Sequence, residues 1–350
     1  MRFLSAALCT TVAAALLASC SGSGSSPSSA LPSGVGNATK ISQLGHHAKP
    51  LMAVEAKYLV HKFRGHVRLV PPNNGLYAQQ FLSTTASVQG YAKNNSGNGP
   101  PICAVGSGTN VNGFGVDAAG NLIVPAAFSG IQIYNGPGMC GSLNTTITDS
   151  YGQAADGAAQ DAINGTIVVG HASGIVTACS ISSGCTALTL NDAGFSQVAM
   201  DKAGNCYANA FDSSSFASSL WYFAGCTGTG VEQTGFSSPT GSTGGIDIDN
   251  KGNVVSTSQG APSQVEVWHC ASGACTSVAG PTSLNGTGDA VYCHLGKQNE
   301  RLACGNASTG TVDVYSYLPS RSPAYMYSFS NGLSVSNIVE AAAYNPRSPK

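Results

Sequence analysis

Histidine and carboxylate side chains are scarce in this chain, so those at repeated positions carry the first chemical readings. His171 is a good acid/base group or metal ligand. Glu340 is an acid placed on a predicted inner strand, whereas Glu55, Glu232, Glu266 and Glu300 mostly fall on turns or outer strands. Helped by Asn306, Gln197 or Asp289, His171 and Glu340 would form an acid–base couple or the shell of a divalent metal. Gln259 and Phe211 occupy positions equivalent to His171 in other repeats and read as ligand contacts. The plainer reading of all of them is the solvated lining of a channel, and it is preferred. No cofactor is expected, a divalent metal entering only under the catalytic alternative.

Other chemistries are excluded by what is missing. The chain has no G-x-S-x-G nucleophile elbow, no H-E-x-x-H zinc helix and no phosphate-cradling G-x-x-x-x-G-K-[ST] loop. Fifteen basic residues against sixteen acidic ones leave a formal charge of -1, too weak a field to gather nucleic acid. Aromatic residues near the predicted loops, Phe128, Phe211, Phe216 and Trp221, would suit a glycan or peptide, although packing between repeats explains them more simply.

The elements that position these groups are visible as a repeat. The phrase GFGVDAAGNLIV begins at Gly113, QVAMDKAGNCYA at Gln197 and GIDIDNKGNVVS at Gly245, with weaker copies from Asp161 and His294. Each reads as strand, turn, strand. The aspartates Asp117, Asp201 and Asp249 can bond following amides, and Gly120, Gly204 and Gly252 can take positive φ. This turn reading is preferred to calcium, since the aspartates fall on different repeats. Taking Asn121, Gly165, Asn205, Asn253 and Glu300 as equivalent gives a period of about 40 to 48 residues, that of a four-stranded propeller blade.

A third strand follows each hairpin, at Ile131–Tyr134, Ile175–Ala178, Leu220–Phe223, Val265–Trp268 and Val312–Tyr315, with a more polar fourth beyond it. The two ends complete one another. Ser336–Pro346 reads as a first strand without a second, and Leu76–Phe81 as a second without a first. Joined, they close an all-β, six-bladed propeller of four-stranded antiparallel blades and remove its open edges. Aligned on the turns, Phe81, Ala127, His171, Phe211, Gln259 and Asn306 lie beyond second strands. Gly113, Gly157, Gln197, Gly245 and Glu340 start first strands, with Asp289 near another.

These V-x-D-x-x-G-N-x-x-V phrases resemble the NHL-like propellers and the SMP-30 and streptogramin-lyase-like group, over residues 70–350. The resemblance implies a site at one face of the channel, and in the lactonase-like members several carboxylates, amides or histidines around a divalent ion. That superfamily holds enzymes, glycan or peptide binders and scaffolds, so the fold alone does not choose. A binding or scaffold module is the preferred reading, with a lactonase-like or lyase-like enzyme as the alternative.

The cysteines and the N-terminus speak to location. Arg2, the apolar run Phe3–Leu17 and Leu17-Ala18-Ser19-Cys20 make an export signal too short to span a bilayer. The last four resemble the bacterial lipobox, which implies cleavage before Cys20 and lipid on its thiol. Residues 1–19 are thus expected as signal peptide, 20–55 as a Ser/Gly/Pro-rich tether and 56–350 as the propeller. The basic stretch His61, Lys62, Arg64, His66 and Arg68 reads as an exposed strand in preference to a lipid-headgroup contact. The expected partners are the membrane, through Cys20, and a glycan, peptide or envelope protein; the chain is expected to be monomeric, with the outer membrane favoured where there are two.

Without Cys9 and Cys20, ten of the twelve cysteines remain, an even number in a compartment that permits disulfides. Cys179 with Cys185 and Cys270 with Cys275 would staple outer hairpins, and Cys293 with Cys304 flank a turn symmetrically. Cys206 with Cys226 and Cys103 with Cys140 pair by elimination. A zinc reading of Cys179-x5-Cys185 lacks a second close pair or a histidine set to complete it.

Overall fold

In a computed structural model, the protein is described over residues 75–345 apart from short segments. These are 81–87, 93–94, 106–112, 118, 127–129, 137, 152–154, 161–163, 172, 191–194, 212–216, 238–242, 261, 285–288, 297–299, 319–320 and 334–338. Cys20, the tether and the basic stretch up to Arg68 lie outside the described residues.

The described chain folds into 24 strands and almost no helix. It opens with β1 (Gly75–Gln80), β2 (Val88–Ala92) and β3 (Cys103–Val105). Blade 2 is β4 (Gly115–Val116), β5 (Leu122–Ala126), β6 (Gly130–Tyr134) and β7 (Leu143–Ile147). Blade 3 is β8 (Ala155–Gln160), β9 (Ile167–His171), β10 (Val176–Ser180) and β11 (Gly184–Leu188). Blade 4 is β12 (Phe195–Met200), β13 (Cys206–Phe211), β14 (Ser218–Phe223) and β15 (Val231–Glu232). Blade 5 is β16 (Thr243–Ile248), β17 (Val254–Ser258), β18 (Gln264–Ala271) and β19 (Ala274–Ser283). Blade 6 is β20 (Ala290–Leu295), β21 (Arg301–Asn306), β22 (Thr311–Leu318) and β23 (Arg321–Phe329), and β24 (Val339–Asn345) ends the series.

β24 pairs antiparallel with β1, from Gly75 opposite Asn345 to Gln79 opposite Ala341, so blade 1 runs β24-β1-β2-β3. The predicted closure of a six-bladed propeller is therefore the observed one. A single parallel bridge, Cys293 to Ala342, joins β20 of blade 6 to β24. The six first strands touch in succession, β24, β4, β8, β12, β16, β20 and back to β24, and form the inner ring. Small residues permit this approach: a side chain on Gly115 would meet the carbonyl of Ala158, and one on Gly245 the backbone of Tyr292.

Burial follows the same rotation. Six apolar clusters occur among the described residues, and each fills one wedge between neighbouring blades. Ile123, Ile131 and Ile133 of blade 2 meet Ile167 and Val169 of blade 3, and Leu76 and Tyr91 of blade 1 meet Val312 and Phe329 of blade 6. Successive side chains of a strand point to opposite faces, and because each face of a blade has a neighbour, the inner strands are buried at every residue, as in β5, β9 and β17.

The repeated turn works through its aspartate. Asp117 Oδ1 accepts the Asn121 amide at 2.7 Å, Asp201 Oδ1 that of Asn205 at 2.9 Å, and Asp249 Oδ1 that of Asn253 at 2.9 Å. Gly120, Gly204 and Gly252 hold φ of 87°, 84° and 82°, the region that favours glycine. The asparagine adds a tie that the sequence reading did not assign: Asn121 Oδ1 accepts Gly136 N at 2.6 Å and Asn205 Oδ1 accepts Gly225 N at 2.9 Å. Each joins the first turn of a blade to the end of its third strand.

All five cysteine pairs form disulfides. Cys179 and Cys185, and Cys270 and Cys275, face each other across their hairpins with Cα atoms 4.0 Å apart. Cys103 to Cys140 is different in kind, running from β3 of blade 1 to the β6–β7 connection of blade 2.

Candidate functional site

Among the described residues, the first strands pack closely about the axis. Gly157, Gln197, Gly245, Tyr292 and His294, from the first strands of blades 3 to 6, surround a space of about 10 Å³, room for about one water. Tyr292 stands in a bulge of β20 at φ 43° and packs against the wedge between blades 1 and 2, on the far side of blade 1 from its own blade. Phe114 of blade 2 lies with its ring centroid 6.5 Å from that of His294. Asp247 on β16 is a further inner-strand acid, buried, accepting Ile248 N at 2.7 Å and Leu295 N at 2.9 Å. Its Oδ2 lies 3.7 Å from His294 Nδ1, yet burial holds the His294 pKa down to about 4. The carboxylate is already engaged by two amides, so desolvation of the ring dominates.

The predicted site residues scatter about this axis. Gln197 lines it. His171 ends β9, where Nε2 lies 3.2 Å from Asp149 Oδ2 and 3.1 Å from Thr177 Oγ1. The carboxylate and the hydroxyl meet the same ring nitrogen, so this is not a relay from acid through imidazole to nucleophile. Asn306 ends β21 and is fully buried, donating to Asp313 Oδ2 at 2.8 Å and accepting Ser308 Oγ at 2.8 Å. Asp289 precedes β20, its carbonyl accepts Ala307 N at 3.0 Å, and burial raises its carboxyl pKa. Gln259 follows β17; Phe211 ends β13 and Glu340 lies in β24 as expected, and at these two the described part is the backbone. None of His171, Asn306, Asp289 and Gln259 lines the axial space. Trp221 packs in the wedge between blades 3 and 4, with Nε1 bonded to Ser219 Oγ at 2.9 Å, so it offers no exposed platform. Phe128 and Phe216 lie outside the described residues.

An open concavity lies at the rim among the described residues. Between blades 4 and 5 a cleft of about 370 Å³ is lined by Tyr207, Tyr222, Val231, Gln233 and the Cys270–Gly273 segment, within the size range of small-molecule sites. The two tyrosine rings sit 5.2 Å apart, tilted by 58°. Gln233 is buried and directs its Nε2 to the Val231 carbonyl at 3.0 Å. The opposite wall is a tight hairpin, with Ser272 at φ 55° and Gly273 at φ 85°, the two positive values that suit a two-residue turn. Thr234 N donates to Gly273 O at 2.9 Å and Cys275 N to Thr234 O at 2.7 Å, which fixes the distance between the walls. Burial, then the nearby Asp201 charge and Tyr222, push the Tyr207 phenol up to about 12, and burial and Asp201 raise Tyr222 as well. Both remain hydroxyl donors at neutral pH.

No family model and no curated protein matches the chain. Solved structures do. A chain of a nidogen–laminin complex superposes with a TM-score of 0.58 at 13% identity, over 78% of this chain and 99% of that one. A Bacteroides caccae protein of unknown function gives 0.53 at 11% identity, over 78% and 99%. A candidate 6-phosphogluconolactonase from Bacteroides fragilis gives 0.51 at 10% identity, over 78% and 98%. The likeness is one of fold.

Sequence reasoning missed Tyr207, Tyr222, Gln233, Tyr292 and His294. Tyr292 and His294 flank Cys293, but the blade 6 turn lacks the Asp-x-x-Gly-Asn phrase that would fix the count back to β20. Tyr207 follows the repeated turn directly, and Tyr222 lies in the predicted third strand; nothing in their spacing tells which face each side chain takes.

Proposed function

We propose that this protein is an extracytoplasmic, membrane-tethered binding module that takes an uncharged glycan in the cleft between blades 4 and 5. The observation that carries this is the cleft of about 370 Å³ at the rim, against about 10 Å³ in the space that Gln197, Tyr292 and His294 surround among the described residues. None of the residues that line the cleft is charged, and the nearest acid acting on its tyrosines is Asp201, which disfavours anionic ligands. The partly exposed Tyr222 ring, backed by the buried Tyr207, suits a ring that is apolar on its C–H face and hydroxylated at its edge. Five disulfides fit an oxidising compartment, and among the described residues no helix is long and apolar enough to cross a membrane. The lipobox-like Leu17–Cys20 and the tether supply the anchor in this reading. A lactonase-like enzyme with its site in the channel would need substrate space, and among the described residues the space that Gln197, Tyr292 and His294 surround has room for about one water.

Calorimetry of the mature chain against neutral oligosaccharides, charged oligosaccharides and peptides tests the reading. A neutral glycan should bind, and Tyr222→Ala should weaken it about tenfold, the equivalent of about 1.4 kcal/mol. Binding confined to peptides or charged glycans, or indifferent to Tyr222, would overturn it. Cys20→Ser should release the protein from the membrane fraction.

A further inference from the structure

We propose that the Cys270–Cys275 disulfide is a redox control on the cleft between blades 4 and 5: closed, it holds the Ala271–Gly273 wall in the shape that admits the ligand, and opened, it lets that wall move. This control rests on the glycan reading of the cleft. Cys270, Ala271, Ser272 and Gly273 form the blade 5 side of the cleft, so the bond lies at the base of the wall. The wall is the tip of the β18–β19 hairpin, in which Cys270 stands opposite Cys275 and Ala271 opposite Ala274. Beyond the disulfide only the turn remains, with Ala271 and Ser272 exposed. Blade 4 meets that turn through Thr234, whose amide and hydroxyl both donate to Gly273 O, at 2.9 and 3.2 Å.

The fold gains little from this bond. It joins strands that are already antiparallel neighbours and spans a sequence separation of 5, and the entropy that a cross-link removes from the unfolded chain grows with the loop it closes. What sets it apart is its place. Cys179–Cys185 occupies the matching hairpin of blade 3, with the same Cα separation of 4.0 Å and a sequence separation of 6, yet it lines neither the cleft nor the axial space. It serves as an internal comparison. Cys275 is buried, whereas Cys270 is half-buried and itself lines the cleft, so a reductant has access to that half of the bond from the cleft.

Opening balances with a dithiol reductant. One of its sulfurs attacks Cys270 Sγ as a thiolate, forming a mixed disulfide and expelling Cys275 as a thiolate. Its second sulfur then attacks the first, closes a cyclic disulfide and releases Cys270. Two electrons pass to the protein, and the two protons lost by the reductant end on the two cysteines. Without the bond a ligand has to order the Ala271–Gly273 tip as it binds, which costs affinity.

Calorimetry of the mature protein against neutral oligosaccharides, before and after mild treatment with dithiothreitol, provides the test, with iodoacetamide alkylation and peptide mass spectrometry showing which bond has opened. Affinity should fall about tenfold in step with alkylation of Cys270. Cys270→Ser with Cys275→Ser should show that loss without reductant, and Cys179→Ser with Cys185→Ser should not. Should the wild type bind no neutral oligosaccharide, the glycan reading falls, and hydrogen exchange decides the control on its own. The Thr234 amide should then exchange about tenfold faster in the Cys270→Ser, Cys275→Ser protein and at the wild-type rate in the other double variant. Affinity unchanged on opening, equal losses in both double variants, unchanged exchange at Thr234, or loss of the folded circular dichroism in the Cys270→Ser, Cys275→Ser protein would each overturn the proposal.

Discussion

Blade 1 and blade 3 have the same four-stranded order but are held together by different means. Blade 3 is continuous, and its disulfide links neighbouring strands of one hairpin, Cys179 to Cys185. Blade 1 is assembled from both ends of the described chain, and its ties run outward. On one flank Cys103 reaches Cys140 of blade 2, whose amide donates to Tyr77 Oη at 2.8 Å. On the other, Asn98 Oδ1 accepts the amides of Ser330 and Asn331 at 2.8 Å each, and Gln80 Nε2 donates to Gly332 O at 2.8 Å. Where the backbone already joins the strands, a disulfide can shape a local surface; where it does not, side chains must hold the seam.

Removing each staple tests this most severely. The Cys103–Cys140 bond closes 37 residues and the Cys179–Cys185 bond 6. The loop-entropy relation gives about 4 kcal/mol for the longer loop and about 2 kcal/mol for the shorter. Cys103→Ser with Cys140→Ser should therefore lower the free energy of unfolding in guanidinium by about twice as much as Cys179→Ser with Cys185→Ser. Equal losses would erase the distinction between seam and hairpin.

Acid should separate the two regions next. His294 lies on β20, the strand that bridges to β24 at the seam, and its pKa falls from an ordinary 6.5 to about 4 through burial. The folded state therefore holds this ring neutral while the unfolded chain protonates it. The stabilisation it leaves intact above pH 6.5 is lost as the pH drops from 6.5 toward 4, by about 1.4 kcal/mol per unit and on the order of 3 kcal/mol in all. Asp149 beside blade 3 is depressed in the other kind of group, a carboxylate, so its contribution persists to lower pH and is lost only as the pH falls through and below the usual carboxylate range. Denaturation midpoints measured from pH 7 to pH 3 should show the first loss in the wild type and a flatter upper limb in His294→Gln, with Asp149→Asn altering only the lower limb.

The architecture was legible in the sequence because its strongest signals are local. Asp201, Gly204 and Asn205 form a complete turn within five residues, so the repeat states both the hairpin and its period. Cys179 and Cys185 are readable for the same reason. The site was not legible, because it is built between repeats. Tyr207 and Gly273 line one cleft only through the angle between two blades, and Asp149 meets His171 only because a connector folds back on the next blade. His171 and Asn306 drew attention as reactive types at equivalent positions, yet each is engaged by an aspartate close to its own blade. A repeat fixes where a side chain sits along a blade and leaves open which neighbour it meets across the wedge.

The smallest expected effect concerns two asparagines. Asn205 lies within blade 4, bonding Asp201 Oδ2 through Nδ2 at 2.8 Å and Gly225 N through Oδ1 at 2.9 Å. Asn98 lies across the seam and engages amides 232 and 233 residues away. Alanine at either position should cost about 1 kcal/mol, the usual net loss for such bonds. The difference should appear in where the structure opens. Hydrogen exchange in Asn205→Ala should quicken at Gly225 and stay within blade 4, because the backbone still joins that blade on both sides. In Asn98→Ala it should quicken at Ser330 and Asn331 and spread to β24 and β1, since the segment released leads straight into the closing strand. Exchange confined to residues 330 and 331 would mean that the disulfide and the β24–β1 ladder hold the seam without help from Asn98.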